Sequence, residues 1–136
     1  MKITVEAVVK APLQKVWDTF IDPEDVKQWN TASDDWHTTH STVDFREGGK
    51  FLSRMEAKDG SEGFDFEGTY TRIVPGKLME YRLSDGREVV AEFIESDDGV
   101  LVRNTFDAED VYPAEVQREG WQAILDNFRR YVEAKE

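Results

Sequence analysis

PAEVQREGWQAILDNFRRYVEAKE, residues 113–136, is the stretch that decides the fold of this 136-residue chain. Its apolar side chains recur at helical spacing, and charged or amide side chains fill the positions between them. The apolar positions are Val116, Trp121, Ile124, Leu125, Phe128 and Val132. This pattern predicts one long amphipathic helix whose wide apolar stripe must be buried against another part of the protein. That partner surface has to come from the residues before it.

The preceding sequence shows the alternation of β-strands rather than a helical period. Ile3, Val5, Ala7 and Val9 alternate with polar residues and predict a first strand. Six further strand-like runs follow, and turn residues that include glycine separate them, as in an antiparallel meander. The six runs are STVDFRE (41–47), KFLSRMEA (50–57), GFDFEGTYTRIV (63–74), LMEYRL (78–83), REVVAEFIE (87–95) and VLVRNTFDA (100–108).

Two short helices are predicted between the first strand and the meander. Pro12 ends the strand and precedes LQKVWDTFI (13–21), whose apolar residues share one helical face. Asp22 then supplies an N-cap, with Pro23 at the first helical position, for a second short helix. Residues 30–41 show no hydrophobic period and are predicted to form a loop.

Together these elements predict a single α+β domain over residues 1–136. A seven-stranded antiparallel sheet with one apolar face needs a cover, and the long C-terminal helix is the available one. The sheet is therefore expected to curve around that helix, with the two short helices closing one end. A curved sheet that grips one helix tends to leave a cavity between them.

The composition limits the classes of function. The formal net charge of −12 disfavours binding to nucleic acid or to anionic lipid surfaces. The chain has no cysteine, which removes disulfides and thiolate chemistry. No stretch reaches the roughly 18 apolar residues of a membrane-spanning helix, and the N-terminus does not read as a signal peptide. We expect a monomeric cytoplasmic protein without membrane insertion, whose acidic surface could suit a basic protein partner.

Five pieces of the sequence resemble a known family. They are Ala11-Pro12 with Val16-Trp17, Trp29, DFREGGKF (44–51), GTYTRIVPGKLMEY (68–81) and GWQAILDNFRRYVE (120–133). In order and spacing they resemble the SRPBCC superfamily, which has the START-related helix-grip fold of the birch-pollen allergen. Within it, the chain is most similar to the family named after the activator of the heat-shock chaperone ATPase. The resemblance implies a deep apolar cavity that holds lipids, hormones, polyketides or flavonoid-like molecules, and that supports catalysis in some branches.

Both histidines lie in SDDWHTTHST (33–42), for which a metal site, a solvated loop and a lid are the three interpretations. His37 and His40 are three residues apart, but no further ligand completes a zinc motif, so no metal site is predicted. As a solvated loop the segment would have no function. As a lid it would cover the cavity mouth, with Trp36 as an apolar flap and His37 as a polar contact for a ligand.

The inward positions of the strands supply most of the candidate ligand-binding residues. Side chains that alternate along one strand share a face of the sheet. With the flap and the helix stripe, the predicted ligand-binding residues are Trp36, His37, Phe51, Met55, Phe66, Tyr70, Met79, Tyr81, Phe93, Asn104, Trp121 and Leu125. Asp65 and Glu67 lie opposite the phenylalanines of their strand and are expected to be ordinary surface charges.

Two positions leave a choice open. Asn104 falls on the apolar side of the last strand, where a buried amide needs a hydrogen-bond partner. That partner is either a neighbour, such as Tyr70 or Tyr81, or a ligand. Gly120 costs about 1 kcal/mol relative to alanine inside a helix. It fits either close packing of the helix against another element or space that is left for a ligand.

The sequence favours a non-catalytic protein that binds a small apolar or aromatic molecule, lipid-like or polyketide-like, between sheet and C-terminal helix. Tyr70, Tyr81, Asn104 and His37 are the candidates for orienting the molecule. One alternative is a cyclase or hydrolase that uses a tyrosine or histidine of the same cavity as acid–base. Another is an interaction module for a chaperone or other protein. No nucleophile–base pair is visible, so no catalytic residue is assigned and no cofactor is expected.

Overall fold

The computed structural model describes residues 1–135 and confirms the α+β helix-grip architecture. In chain order the elements are β1 (Lys2–Val9), α1 (Leu13–Ile21), α2 (Pro23–Trp29), β2 (Trp36–Val43), β3 (Lys50–Ala57), β4 (Gly63–Val74), β5 (Leu78–Leu83), β6 (Glu88–Ser96), β7 (Gly99–Asp107) and α3 (Ala114–Ala134). The predicted order of one strand, two short helices, six strands and one long helix is therefore correct.

The strands form one antiparallel sheet in the order β1-β7-β6-β5-β4-β3-β2. From β2 to β7 each strand pairs with the next one in the chain, and β1 pairs with β7, so β1 and β2 are the edges. Gly76 and Gly86 have φ values of 74° and 92°, which allow the tight reversals around β5. The sheet curls into a half-barrel around α3.

The first strand of the meander begins earlier than predicted. Residues 36–43 pair with β3, so the prediction of a loop over residues 30–41 is wrong for its second half. The register shifts between Thr38 and His40, which interrupts the alternation of apolar and polar side chains. As an edge strand, β2 also keeps many polar side chains. Both features hide the strand period in the sequence.

The start of α2 follows the prediction. Asp22 Oδ1 accepts hydrogen bonds from the backbone N–H groups of Glu24 (2.9 Å) and Asp25 (3.2 Å). The Asp25 carboxylate accepts two more, from the Tyr131 hydroxyl (2.6 Å) and the Lys135 ammonium group (2.7 Å). Through these contacts the short helices are fixed to the C-terminal end of α3.

The helix α3 buries the predicted stripe along most of its length. Leu125, Phe128 and Val132 are fully buried, and the Trp121 ring stacks on Phe106 of β7 with 3.9 Å between ring centroids. Burial of apolar area of this kind supplies most of the free energy that holds a helix on a sheet. Within residues 1–135, no helix is long and apolar enough to cross a membrane.

The first turn of α3 departs from the predicted stripe. Val116 is 51% exposed, and its neighbour Gln117 is buried instead. Gln117 Oε1 accepts a hydrogen bond from the backbone N–H of Glu109 (2.8 Å), and its Nε2 donates to the carbonyl oxygens of Glu109 (3.1 Å) and Tyr112 (2.7 Å). These bonds compensate for burying an amide, and they fix the connection between β7 and α3.

Candidate functional site

A cavity of about 260 Å³ lies between the concave face of the sheet and α3. The wall is built from α1, α2, α3 and the strands β2 to β5 and β7, so it is completed only when all of these elements have packed. At roughly 30 Å³ for each water-sized group, the space holds on the order of nine such groups. The cavity is therefore of a size for a small organic molecule.

Most of the predicted ligand-binding residues line this cavity. The nine that do are Phe51, Met55, Phe66, Tyr70, Met79, Tyr81, Asn104, Trp121 and Leu125. The strand alternation and the helix stripe brought them together on the concave face. Their contact with a ligand stays a prediction. Trp36, His37 and Phe93 do not belong to the cavity wall.

Phe93 faces inward, as its strand parity predicts, but another element covers it. Its ring meets Trp17 edge to face at 4.9 Å and Phe20 at 5.3 Å between ring centroids. Both partners belong to α1, which packs over this end of the sheet. Phe93 is therefore core beneath α1, and parity alone does not reveal which inward residues a helix covers.

Trp36 and His37 lie on β2 and not on a loop over the cavity mouth. His37 is opposite Glu56 on β3, half-buried, and does not reach the cavity. Trp36 packs against Phe64 with 5.8 Å between ring centroids and lines a separate groove described below. Within residues 1–135, no three His, Asp or Glu side chains converge to hold a metal ion.

Further lining residues were not among the predicted ones. They are Phe20, Val26, Trp29, Asn30, Val43, Ser53, Phe64, Arg87, Glu109 and Ile124. Arg87 has the same strand parity as Val89 and Ala91, so the alternation carried a signal that its side chain points inward. Glu109 lies in the connection between β7 and α3, where no period exists to indicate its direction.

Asn104 is the unusual polar group of the cavity. It is only 7% exposed, and its Oδ1 atom has no hydrogen-bond partner among the described residues. Of the two alternatives left by the sequence, a hydrogen bond from Tyr70 or Tyr81 is therefore not formed. An unpaired buried acceptor costs about 1–3 kcal/mol. A ligand that donates a hydrogen bond to Oδ1 would recover that free energy.

Tyr70 and Tyr81 place two hydroxyl groups in the same wall. The residues pair across β4 and β5, with 6.2 Å between ring centroids, and the Phe51 ring contacts both at 5.3 and 5.1 Å. Burial raises the pKa of both hydroxyls above the usual value for tyrosine. At neutral pH they are therefore uncharged groups that can donate or accept a hydrogen bond.

These raised pKa values predict a loss of stability in alkali. Above pH 10, near the usual pKa of tyrosine, the unfolded chain releases protons that folded Tyr70 and Tyr81 retain. The contribution of these two tyrosines to stability is therefore constant below this pH and falls above it. The slope approaches about 1.4 kcal/mol per pH unit for each tyrosine. Urea unfolding between pH 9 and 11 measures it. The double variant Tyr70→Phe/Tyr81→Phe should reduce the slope of unfolding free energy against pH. The control Tyr112→Phe, at an exposed position, should leave it unchanged. Equal slopes in the unaltered protein and both variants would contradict the prediction.

Four residues line both this cavity and a neighbouring groove, and we call them the cavity mouth: Phe64, Phe66, Arg87 and Glu109. The Arg87 guanidinium donates a hydrogen bond from Nε to Asp85 Oδ2 (2.7 Å) and lies 3.8 Å from Glu109 Oε2 through Nη1. Burial alone would raise the pKa of Asp85, but hydrogen bonds from the backbone N–H and guanidinium of Arg87 outweigh it and lower that pKa. The mouth thus holds a cation between two carboxylates.

A groove of about 480 Å³ adjoins the cavity and shares the four residues of the mouth with it. Carboxylates and aromatic rings dominate its wall, and we call it the acidic groove. Its charged residues are Glu62, Asp65, Glu67, Asp85, Glu109 and Arg87, and its rings include Trp36, Phe64 and Tyr112. Asp65 and Glu67 alternate with Phe64 and Phe66, so their carboxylates lie on the opposite face of β4 from these rings. Asp65, which was expected to be a surface charge, is exposed and pairs with Arg54 at 3.3 Å, while Glu67 is half-buried.

Gly120 of α3 is not explained by close packing. A side-chain carbon added there would meet no atom within 4 Å. Neither a tight approach of the helix to another element nor contact with its neighbours therefore requires a glycine. Gly120 does not line the cavity either, so the alternative of space left for a ligand stays a prediction.

Comparison with known proteins gives the relatives of the chain. The model of the family described as Activator of Hsp90 ATPase homolog 1-like protein matches residues 10–133. The solution structure of an AHSA1-like protein from Aeromonas hydrophila is 48% identical, with a TM-score of 0.93 over 98% of this chain and 93% of that one. A protein from Cytophaga hutchinsonii is 42% identical, with a TM-score of 0.85 over 97% and 92%.

More distant structures share the fold alone. A crystal structure of a protein from Nitrosomonas europaea has a TM-score of 0.85 at 17% identity, over 100% of this chain and 96% of that one. No curated protein matches the sequence.

Proposed function

The chain belongs to the family of Activator of Hsp90 ATPase homolog 1-like proteins, and we propose that it binds a small apolar or aromatic ligand, without converting it, in the cavity between sheet and α3. Proteins with this SRPBCC-type fold commonly bind ligands. The observation that carries the proposal is the hollow core itself, since interiors of single domains are normally packed to the density of organic crystals.

The chemistry of the wall supports an apolar ligand. Aromatic, methionine and aliphatic side chains make up most of it, among them Phe51, Phe66, Met79 and Leu125. Burial of apolar ligand surface against them contributes about 25 cal/mol per Å² to affinity, before the cost of immobilising the ligand. Because the cavity is only about 260 Å³, it can bury a ligand with one or two rings more completely than a long acyl chain.

A few polar groups would set the orientation of the ligand. Asn104 Oδ1 offers an acceptor without a partner, and the uncharged hydroxyls of Tyr70 and Tyr81 lie in the same wall. Selection between ligands then follows from hydrogen bonding, because a ligand that leaves these groups unpaired inside the protein binds less well. A ring bearing a hydroxyl or amine donor satisfies both requirements.

Titration with 2-naphthol tests the proposal. In heteronuclear NMR, the probe is expected to shift resonances of cavity residues and few others. Filling the cavity by Ile124→Trp should abolish these shifts, and the matched control Ile94→Trp, on an exposed position outside the cavity (41% exposed), should leave them unchanged. Saturating 2-naphthol that shifts no cavity resonance in the unaltered protein would disprove binding of this class of ligand.

A further inference from the structure

We propose that the cavity binds an elongated, uncharged ligand that carries a hydrogen-bonding group at each of its two ends. One group contacts Asn104, and the other contacts a second polar site formed by Ser41, Ser53 and Asn30, which we call the serine end. The inference rests on the proposed function and specifies the chemical class of ligand for that same cavity.

Buried polar atoms without partners occur at two places on the sheet. Within residues 1–135, the buried side-chain atoms that lack a hydrogen-bond partner are Thr19 Oγ1, Ser41 Oγ and Asn104 Oδ1. Thr19 lies on α1, whereas Ser41 and Asn104 lie on β2 and β7. Because native proteins pair most of their buried polar groups, each of the two sheet positions needs an explanation. A ligand in the cavity explains both if it is polar at two places.

Ser41 belongs to the concave face of the sheet. It lies directly opposite Ser53 in the pairing of β2 with β3, and opposed residues of antiparallel strands share a face. Ser53 is 4% exposed and lines the cavity, as does the next inward pair, Val43 and Phe51. Rotation about the Cα–Cβ bond of Ser41 turns its hydroxyl toward Ser53 or toward a group beside it. Two hydroxyls are therefore available at this part of the wall.

Asn30 adds an amide to the serine end. It caps the C-terminus of α2, is 8% exposed and lines the cavity. Its backbone carbonyl accepts a hydrogen bond from Thr38 Oγ1 (2.8 Å), which fixes Asn30 to β2. Thr38 lies opposite Met55, two residues from Ser53. Since hydroxyls and amides both donate and accept, this end suits a hydroxyl or carbonyl group of a ligand.

A belt of aromatic rings separates the serine end from Asn104. Phe66 lies opposite Ser53 on β4, and the Phe51 ring is 5.8 Å from Phe66 and 5.1 Å from Tyr81 between ring centroids. Asn104 is on β7, two strands beyond the strand of Tyr81. A single ligand group cannot reach both ends. The ligand therefore has an apolar body against the rings and its polar groups at opposite ends.

Both ends of the cavity are uncharged. Among the described residues that line it, charge is confined to Arg87 and Glu109 at the mouth, with 3.8 Å between Nη1 and Oε2. A charged ligand group at the serine end or at Asn104 would be buried without a counter-ion, which is costly. Neutral hydroxyl, carbonyl or amide groups therefore suit both ends better than a carboxylate or an ammonium group.

Three naphthalenes that share one hydroxyl test this class of ligand. 2,6-Dihydroxynaphthalene is polar at both ends, 6-methyl-2-naphthol replaces one hydroxyl with a methyl group of similar size, and 6-hydroxy-2-naphthoate replaces it with a carboxylate. In calorimetric titrations at pH 7, the diol is expected to bind about tenfold more tightly than 6-methyl-2-naphthol. A purely apolar cavity would reverse this order, because burial favours the methyl group. The naphthoate should bind more weakly than the diol, and tighter binding would overturn the uncharged class.

A pair of double variants locates the second contact. Ser41→Ala/Ser53→Ala removes both hydroxyls with little change in volume and is expected to reduce the preference for the diol to less than about threefold. The control Ser61→Ala/Ser84→Ala removes two hydroxyls at exposed positions outside the cavity and should keep the preference. Circular dichroism checks that each variant is folded, and Ser53→Ala alone gives the same readout if the double variant does not fold.

The outcomes separate this inference from the proposed function. If 2-naphthol and 6-methyl-2-naphthol bind but the diol binds no more tightly, the second polar contact is wrong and the cavity still binds apolar ligands. If none of the four probes binds, the proposed function fails as well. If the diol is preferred equally in the Ser41→Ala/Ser53→Ala variant, the assignment of that contact to the serine end is overturned.

Discussion

Replacing Phe128 with alanine is expected to lower the free energy of unfolding by about 3–5 kcal/mol. The side chain is 0% exposed, and its ring meets Trp29 at 4.8 Å and Phe20 at 5.3 Å between ring centroids. Phe128 thereby joins α3 to both short helices, so its truncation removes packing from three elements at once. Because single domains are stable by only about 5–15 kcal/mol, the variant should be marginally folded at 25 °C. Urea unfolding followed by circular dichroism measures the change.

Phe64→Ala is the matched control for this prediction. Phe64 is 47% exposed at the cavity mouth, so its truncation removes much less buried area and should cost at most about 1.5 kcal/mol. Equal losses in the two variants would mean that burial in the aromatic cluster of α1, α2 and α3 does not determine stability, which contradicts the prediction.

Replacing Asn104 with leucine is expected to stabilise the protein and weaken ligand binding. Leucine has the same branching as asparagine but no buried acceptor, so the free energy of unfolding should rise by about 1–3 kcal/mol. Affinity for 2-naphthol should fall by roughly tenfold, because the ligand hydroxyl loses its acceptor. The opposite signs of the two changes are the feature that a purely structural role for Asn104 would not produce.

Asn104→Asp supplies the complementary variant. It retains the acceptor and the shape but adds a charge that is buried on the apolar face, so stability is expected to fall below that of the unaltered protein. Thermal unfolding and NMR titration of the three proteins give both quantities. A destabilised Asn104→Leu variant would show that the amide stabilises the fold. It would contradict the interpretation that Asn104 Oδ1 is an unpaired acceptor for a ligand.

The order of the elements could be predicted because each one carries its own period. The stripe from Trp121 to Val132 has helical spacing, and the runs from 50 to 57 and from 63 to 74 alternate and end at turn residues. The cap of α2 is equally local, since the Asp22 side chain accepts hydrogen bonds only from the two residues after Pro23. Nine of the twelve predicted ligand-binding residues line the cavity for the same reason, because alternation specifies the face of a strand.

Other features depend on neighbours that are distant in the sequence. The strand over residues 36–43 forms because β3 pairs with it, and its shifted register leaves no period to recognise. Phe93 and Met79 have the same inward parity, yet α1 covers Phe93 while Met79 lines the cavity. Arg87 and Glu109 form a mouth only when the β5–β6 turn meets the connection before α3.

The sequence by itself therefore determined the elements, their order and the faces that they bury, since these follow from propensity and period along the chain. The tertiary structure alone decided which buried faces touch and where they leave space. A cavity is a gap between several packed elements, so no single segment contains it. The unpaired Asn104 amide and the serine end of the cavity are defined by that gap, and with them the ligand that we propose.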